Sequence, residues 1–452
     1  MRTGLNSAWK MPADFDPNPA PCVKMRLKKT VRKKMRILYV AGDNPAVETI
    51  LNGMDGSTLS GLPAFYYPFK MLLERGCTID ILLYTTEKKT VIESAHFKKR
   101  NLIQLHPRQS ILPGSVEYML MLRTAVRKLL RSRHYDFVYG MSEGAHLAVR
   151  EAAKMGIPCG LRQYGTQEMA NVLEPIKSVT VRRLKALKDY TYITLSMLSR
   201  KTFVLATNDG SRADVLYDLL GVKKKKFQFY FWRSGVYIPD ERPEVDYESK
   251  EPYPSGYDPM ALSMINRIAD VKRQDRAACI LGELHKRGYP FHLYLIGTDD
   301  SQKMHEATVA AAKEYGVLDY LHFVGGKSQQ ECRQYACNSF ATLLPCEWNR
   351  VNVFYEVMGE GSVVVTNDNH SIDEFIKDDV NCLVYEEDNF AQAAEKIIAL
   401  MKDPERIERI RNAAHQTAVE KFMSLEKRFG LEAQLVTDTA LGKDISGYPL
   451  VL

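Results

Sequence analysis

The 452-residue chain is poor in several features that would assign it to a class at once. No uninterrupted apolar run approaches the ~20 residues that a membrane-spanning helix needs. The segment behind Met1 is basic but has no apolar stretch leading to a small-residue cleavage site, so a secretory signal is not expected. Eight cysteines are present (Cys22, Cys77, Cys159, Cys279, Cys332, Cys337, Cys346 and Cys382), and none forms a CxxC pair. A thiolate zinc site is therefore not expected, and the cysteines read as reduced thiols of a cytosolic protein. A surplus of positive charge is missing from the body as well. Residues 1–34 carry nine bases and only Asp14 and Asp16 against them, a surplus of seven that equals the whole net charge of +7. Duplex-gripping proteins need a positive face within the fold, so nucleic acid is not expected as a partner.

What is present is an alternation of short apolar runs with longer amphipathic ones. Met35–Ala41 is apolar and ends in Gly42, as a buried parallel strand does where it enters a loop. A loop over 42–62, a helix through Tyr66–Leu73 and a strand at Ile79–Tyr84 follow. Further strands are predicted at Phe137–Tyr139, Cys159–Leu161 and Phe203–Ala206, with helices around Ala145–Met155 and Ser211–Leu220. A Pro-, Asp-, Glu-, Tyr- and Gly-rich stretch without period then separates two halves. After it, strands are predicted at Ala261–Ile265, Phe291–Ile296, Leu321–Val324, Ala341–Leu344, Val363–Thr366 and Leu383–Tyr385, with helices between them. Alternation of this kind marks βαβ units on a parallel sheet. The expected class is α/β, with two Rossmann-like domains facing each other across a cleft. The expected boundaries are a basic extension (1–34), a first domain (35–240), a linker (241–258), a second domain (259–420) and a closing segment (421–452).

Two segments carry chemistry. In Asn266-Arg267-Ile268-Ala269-Asp270-Val271-Lys272 a strand ends and two cations follow, five apart, before a helix starts. Cations beside a helix N-terminus are what a diphosphate requires; taken alone, the spacing also fits a solvated loop. In the second segment, Leu344-Pro345 ends a strand, a polar loop enters a helix, and that helix bears Glu356. A carboxylate facing inward needs hydroxyl or amide partners, and a ribose diol supplies them; an ordinary helix ion pair is the other reading.

On these residues the chain resembles the GT-B retaining glycosyltransferases of family 4, the group 1 glycosyltransferases, over roughly residues 35–425. Arg267 and Lys272 match the family's Arg and Lys. Glu356-Val357-Met358-Gly359-Glu360-Gly361-Ser362-Val363-Val364-Val365 resembles its Glu-Ala-Met-Ala-x-Gly-x-Pro-Val-Val. Phe323-Val324-Gly325-Gly326, Asp373-Glu374-Phe375-Ile376 and Asn381-Cys382-Leu383-Val384 resemble further C-terminal motifs. Ser60-Gly61, Gly156-Ile157-Pro158 and Ser234-Gly235-Val236 match more loosely. The resemblance implies transfer of a sugar from a nucleotide-diphosphate donor to an acceptor hydroxyl, with retention and without metal or other cofactor. Arg267 and Lys272 would then hold the diphosphate and Glu356 the ribose. Gly61, Asn352 and Val353 would complete the phosphate cradle. Apart from the resemblance, His370 follows the predicted strand end at Asn367-Asp368-Asn369, where ligands bind in such sheets, and reads equally as a site residue or a loop residue.

Two departures from the family stand out. The first Glu of its acidic pair falls on Trp348, with Glu347 one position out of register, so Trp348, Asn349 and Arg350 are expected to read the sugar. Tyr164 stands where members carry His. The other readings are a catalytically inactive binding or scaffold protein and a GT-B sugar-nucleotide epimerase. The acceptor is left open between glycan, lipid-linked and small-molecule types. Arg123, Arg127 and Arg131, and again Arg182, Arg183, Lys185 and Lys188, form basic helix faces suited either to solvent or to an anionic membrane. The expected location is cytoplasmic, with peripheral contact at the inner membrane face. His146 reads as structural, Asp43 and Asn44 as acceptor contacts or turn caps, and Phe65, Tyr66, Tyr67 and Phe69 as core.

Overall fold

Five consecutive buried residues in β1 (Arg36–Ala41) mark a strand covered on both faces. The computed structural model describes residues 34–41, 63–84, 102–105, 114–223, 226–347, 352–369 and 371–452. The expected loop 42–62, with Asp43, Asn44 and Gly61, and most of the basic extension lie outside the described residues. Residues Met35–Leu452 form one compact unit.

The first sheet contains β1, β2 (Thr78–Tyr84), β3 (Leu102–Leu105), β4 (Phe137–Met141), β5 (Cys159–Gln163), β6 (Phe203–Thr207) and β7 (Gln228–Trp232). Its order is β3-β2-β1-β4-β5-β6-β7 and every pairing is parallel. The edge strands β3 and β7 were not expected: β3 is four residues long, and β7 is aromatic without a turn signal beside it. Helices α1 (Pro63–Glu74), α2 (Gly114–Ser132), α3 (His146–Lys154), α4 (Gln167–Leu173), α5 (Val179–Asp189), α6 (Thr191–Leu198) and α7 (Ala213–Leu219) connect the strands. Tyr39 packs edge-on against Phe65 and Phe69, so the aromatic run of α1 is core, not a sugar platform.

The second sheet contains β8 (Asp258–Ile265), β9 (His292–Ile296), β10 (Leu321–Gly325), β11 (Ser339–Leu344), β12 (Val364–Asp368) and β13 (Leu383–Glu386). Its order is β10-β9-β8-β11-β12-β13, also parallel throughout. Around it lie α8 (Gln274–Lys286), α9 (Gln302–Glu314), α10 (Gln329–Asn338), α11 (Asn352–Gly359), α12 (Phe390–Met401) and α13 (Pro404–Lys421). Local signals fix several starts. Ser328 and Glu331 form a reciprocal capping box on α10, and Asp403 caps α13 ahead of Pro404.

Residues 239–257 hold neither helix nor strand. After α13 the chain returns past this stretch, Ser424 bridging to Val236, and forms α14 (Leu425–Ala440). Helix α14 packs on α1 and contributes Ala433, Leu435 and Val436 to the core of the first sheet. The last residues run beside β7: Phe231 N–H donates to Leu450 O and Leu452 N–H to Phe231 O. That pairing covers an edge that would otherwise present unpaired backbone.

Candidate active site

In an open parallel sheet, ligands bind beyond the carboxyl ends of the strands where strand order reverses. In the second sheet that point lies between β8 and β11. The loops leaving these two strands carry the residues singled out above.

After β8, Arg267 projects into solvent and pairs with Asp300 at 2.5 Å, which holds the Asp300 carboxyl below its usual range. The backbone here is fixed from beneath. The buried Gln274 side chain donates to Arg267 O at 2.9 Å, and a Cβ at Gly297 would stand 2.1 Å from Asn266 O. Lys272 sits deeper. Burial lowers its pKa, with Cys346 and Asp209 opposing and Arg267 adding to the decrease. Arg273 follows at φ +58, held by Asp275, and reaches Glu347 at 3.9 Å. Glu347 N–H in turn donates to Val271 O, so the loop after β11 is pinned to the cationic turn after β8.

Asn352 and Val353 open α11. One turn on, Glu356 lines a pocket with Ile265 and Val353. Burial raises its pKa to about 7, against a hydrogen bond from the Tyr237 backbone and the charge of Arg333. The helix is anchored to the first domain: Arg233, just past β7, donates to Asp373 at 2.6 and 2.7 Å and to Tyr355 Oη at 3.0 Å. Trp348, Asn349, Arg350 and His370 lie outside the described residues.

Across the cleft, Tyr164 directly follows β5, half-buried, and burial raises its pKa against the pull of Arg162. Asp209, after β6, escaped the sequence reading. Its Oδ1 accepts from Ser211 N (3.0 Å) and Ser211 Oγ (2.5 Å), and Ser211 Oγ accepts from Gly165 N. Burial raises the Asp209 pKa, and its charge is felt at both Lys272 and Tyr164. Asn208-Asp209-Gly210 resembles any turn, so no sequence signal distinguished it.

The basic helix faces carry partners that the sequence did not show. Arg123 and Arg127 both pair with Glu151, which is nearly shielded from solvent. Arg182 and Arg183 donate to Leu173 O, Leu219 O, Leu220 O and Gly221 O, closing the carbonyl ends of α4 and α7. Of the second set, Lys185 and Lys188 remain on the exposed surface of α5, beside exposed Val181 and Leu184. His146 is buried beside Tyr192. No helix among the described residues is long and apolar enough to cross a membrane.

Two facing parallel sheets, with cations and a carboxylate at the switch point of the second, define a GT-B protein. Residues 248–417, most of the second domain, match the family model described as glycosyl transferases group 1. Among solved structures, sucrose-phosphate synthase from Thermosynechococcus elongatus superposes with a TM-score of 0.64 at 12% identity, covering 90% of this chain and 100% of that one. WaaG, a glycosyltransferase involved in lipopolysaccharide biosynthesis, gives 0.57 at 16% identity over 89% and 100%. Anabaena HepE in complex with UDP-glucose gives 0.57 at 14% identity over 90% and 100%. At these identities the likeness is one of fold. No curated protein matches the chain in sequence.

Proposed function

We propose that the protein transfers a sugar from a nucleotide-diphosphate donor to an acceptor hydroxyl, with retention of configuration and without a metal ion. The observation that carries this is the pairing of two loops at one switch point: Arg267 and Lys272 after β8, and the start of α11 with Glu356 after β11. The Anabaena neighbour was solved with UDP-glucose, which adds support for a nucleotide sugar as donor.

In this reading Arg267 and Lys272, with the amides of Asn352 and Val353, take up the charge that develops on the departing diphosphate. Glu356 receives the ribose hydroxyls. Lys272 is poised by its burial: a desolvated ammonium gains more from an arriving phosphate than a hydrated one. Tyr164 and Asp209 face this charge from the first domain. Asp209 would receive the acceptor hydroxyl, whose proton passes to the departing phosphate oxygen as the new bond forms on the same face of the sugar. The exposed Val181, Leu184, Lys185 and Lys188 of α5 offer a surface to the membrane of a lipid-linked acceptor. Liposome sedimentation tests that contact.

The test of the function is turnover. The full chain, given a panel of nucleotide sugars, is expected to release nucleoside diphosphate, slowly with water and faster with the right acceptor. Tight nucleotide binding with no release for any donor would instead assign the inactive binding protein.

A further inference from the structure

The pocket that Glu356 lines continues past it and has a floor of its own. Gln329, Cys332, Arg333 and Ala336 of α10 form one wall, and Val357 and Glu360 continue the α11 wall past Glu356. Glu360 is the unusual member. It is 5% exposed, its Oε1 accepts no hydrogen bond among the described residues, and its nearest cation, Arg333 Nε, stands 3.8 Å away. The Arg333 guanidinium is itself laid over the Tyr237 ring at 4.0 Å and so is held beside Glu360, not on it. A buried carboxylate oxygen left without a donor is costly unless a ligand brings one.

Glu360 directly follows α11, and its N–H donates to Glu356 O at 3.0 Å, so the two carboxylates stand one helical turn, about 6 Å, apart on the same face. That is also the scale on which a nucleoside separates its ribose hydroxyls from the hydrogen-bonding edge of its base. With the ribose on Glu356, the base reaches Glu360. A carboxylate there accepts two hydrogen bonds side by side. Among the common bases only guanine presents two adjacent donors, N1–H and the 2-amino group, with O6 beside them as an acceptor for Arg333 or Gln329. Uracil would turn carbonyl oxygens toward the carboxylate. Adenine and cytosine would each pair one amino group with an unmatched ring nitrogen.

We propose that Glu360, with Arg333, reads the base of the donor and selects guanine, making the co-substrate a guanosine-diphosphate sugar. This rests on the donor reading above and deepens it.

The experiment is calorimetric titration of the full chain with GDP, IDP, UDP, ADP and CDP. GDP is expected to bind at least about tenfold more tightly than UDP, ADP or CDP, the discrimination typical of one bidentate pair. IDP lacks only the 2-amino group and should lose most of that margin. Glu360→Gln presents one acceptor and one donor, which match the N3–H and O4 of uracil. It should therefore lose GDP affinity and gain UDP affinity, an exchange that a merely structural residue would not produce. Equal binding of GDP and IDP, or of GDP and UDP, by the unaltered chain overturns the base assignment, and needs no variant to fold. Tight UDP binding with weak GDP binding overturns it too, while leaving the donor site standing. Absence of binding by every nucleoside diphosphate would overturn the donor reading as well.

Discussion

Arg162 of β5 and Glu432 of α14 meet at 2.5 Å, both fully shielded from solvent, across 270 positions of sequence. Arg428 joins Glu432 at 3.0 Å, and Tyr139 Oη donates to it at 2.6 Å. Burial pulls the Glu432 pKa up, but the two guanidinium groups outweigh it and hold the carboxyl below its usual range. The closing helix is thus tied to the first sheet beneath Tyr164, by an ion cluster that is strong only while complete.

Removing the carboxylate leaves two buried cations sharing no counter-charge. Glu432→Gln is expected to destabilise the fold by about 3–5 kcal/mol, the cost typical of breaking a buried pair from one side. Urea denaturation at pH 7 measures it. Because the folded pKa lies below the unfolded one, this contribution is present above about pH 4.5 and fades as pH falls through the folded value. The variant should lose the corresponding acid transition. A loss under about 1 kcal/mol would mean that water reaches the cluster and screens it.

Glu360 runs the other way. Burial raises its pKa from 4.5 to about 7, so between those values the folded chain binds more protons than the unfolded one and stability falls as pH rises. Glu360→Gln should be nearly neutral at pH 4.5 and stabilising by on the order of 2–3 kcal/mol above pH 7. Denaturation curves of the two chains across that range should diverge with pH. A difference that stays constant would show Glu360 ionised throughout.

Arg267→Ala should weaken nucleoside diphosphates by roughly 1.5–3 kcal/mol, the worth of a charge-assisted hydrogen bond, and leave nucleosides nearly unchanged. Titration with GDP, UDP and the corresponding nucleosides checks this. The side chain is exposed and bonded only to Asp300 among the described residues, so the fold should be untouched. Equal losses for nucleoside and diphosphate would remove Arg267 from the phosphate site.

Glu356→Gln keeps the shape of α11 and its bond to Tyr237 can re-form through the amide oxygen. The fold should survive, and be stabilised above pH 7 because burial raises the Glu356 pKa to about 7, while donor turnover falls. Lost folding with normal activity in the surviving fraction would make Glu356 structural.

Asp209→Asn tests the far wall. The carboxylate accepts from Ser211 and faces Lys272, and an amide keeps those acceptor contacts through its oxygen. Turnover is expected to drop roughly a hundredfold or more, with nucleoside diphosphate affinity unchanged. Unaltered turnover would confine Asp209 to holding the Gly165 turn through Ser211.

The two-domain α/β plan was legible in the sequence because buried parallel strands leave continuous apolar runs, and helix caps such as Ser328 and Asp403 are short-range signals. Arg267, Lys272 and Glu356 were picked out by their match to the family motifs, since their spacing alone also fitted a solvated loop and an ordinary helix ion pair. The edge strands β3 and β7 were not, since an edge carries less of the burial that makes a strand readable. The basic faces of α2 and α5 looked alike in sequence, yet Glu151 takes up Arg123 and Arg127, while carbonyl ends of other helices take up Arg182 and Arg183.

Sequence by itself determined the order of elements, the neutral body and the placing of two cations and a carboxylate at strand ends, because each depends on residues near one another in the chain. Only the tertiary structure decided which charges are buried and what they face. Arg162 and Glu432 find each other across 270 positions, Asp209 gains its meaning from Lys272 in the other domain, and Glu356 and Glu360 form one wall of a pocket only when α10 packs opposite them. Desolvation and pairing depend on what packs around a group, and long-range packing leaves no local mark in the sequence.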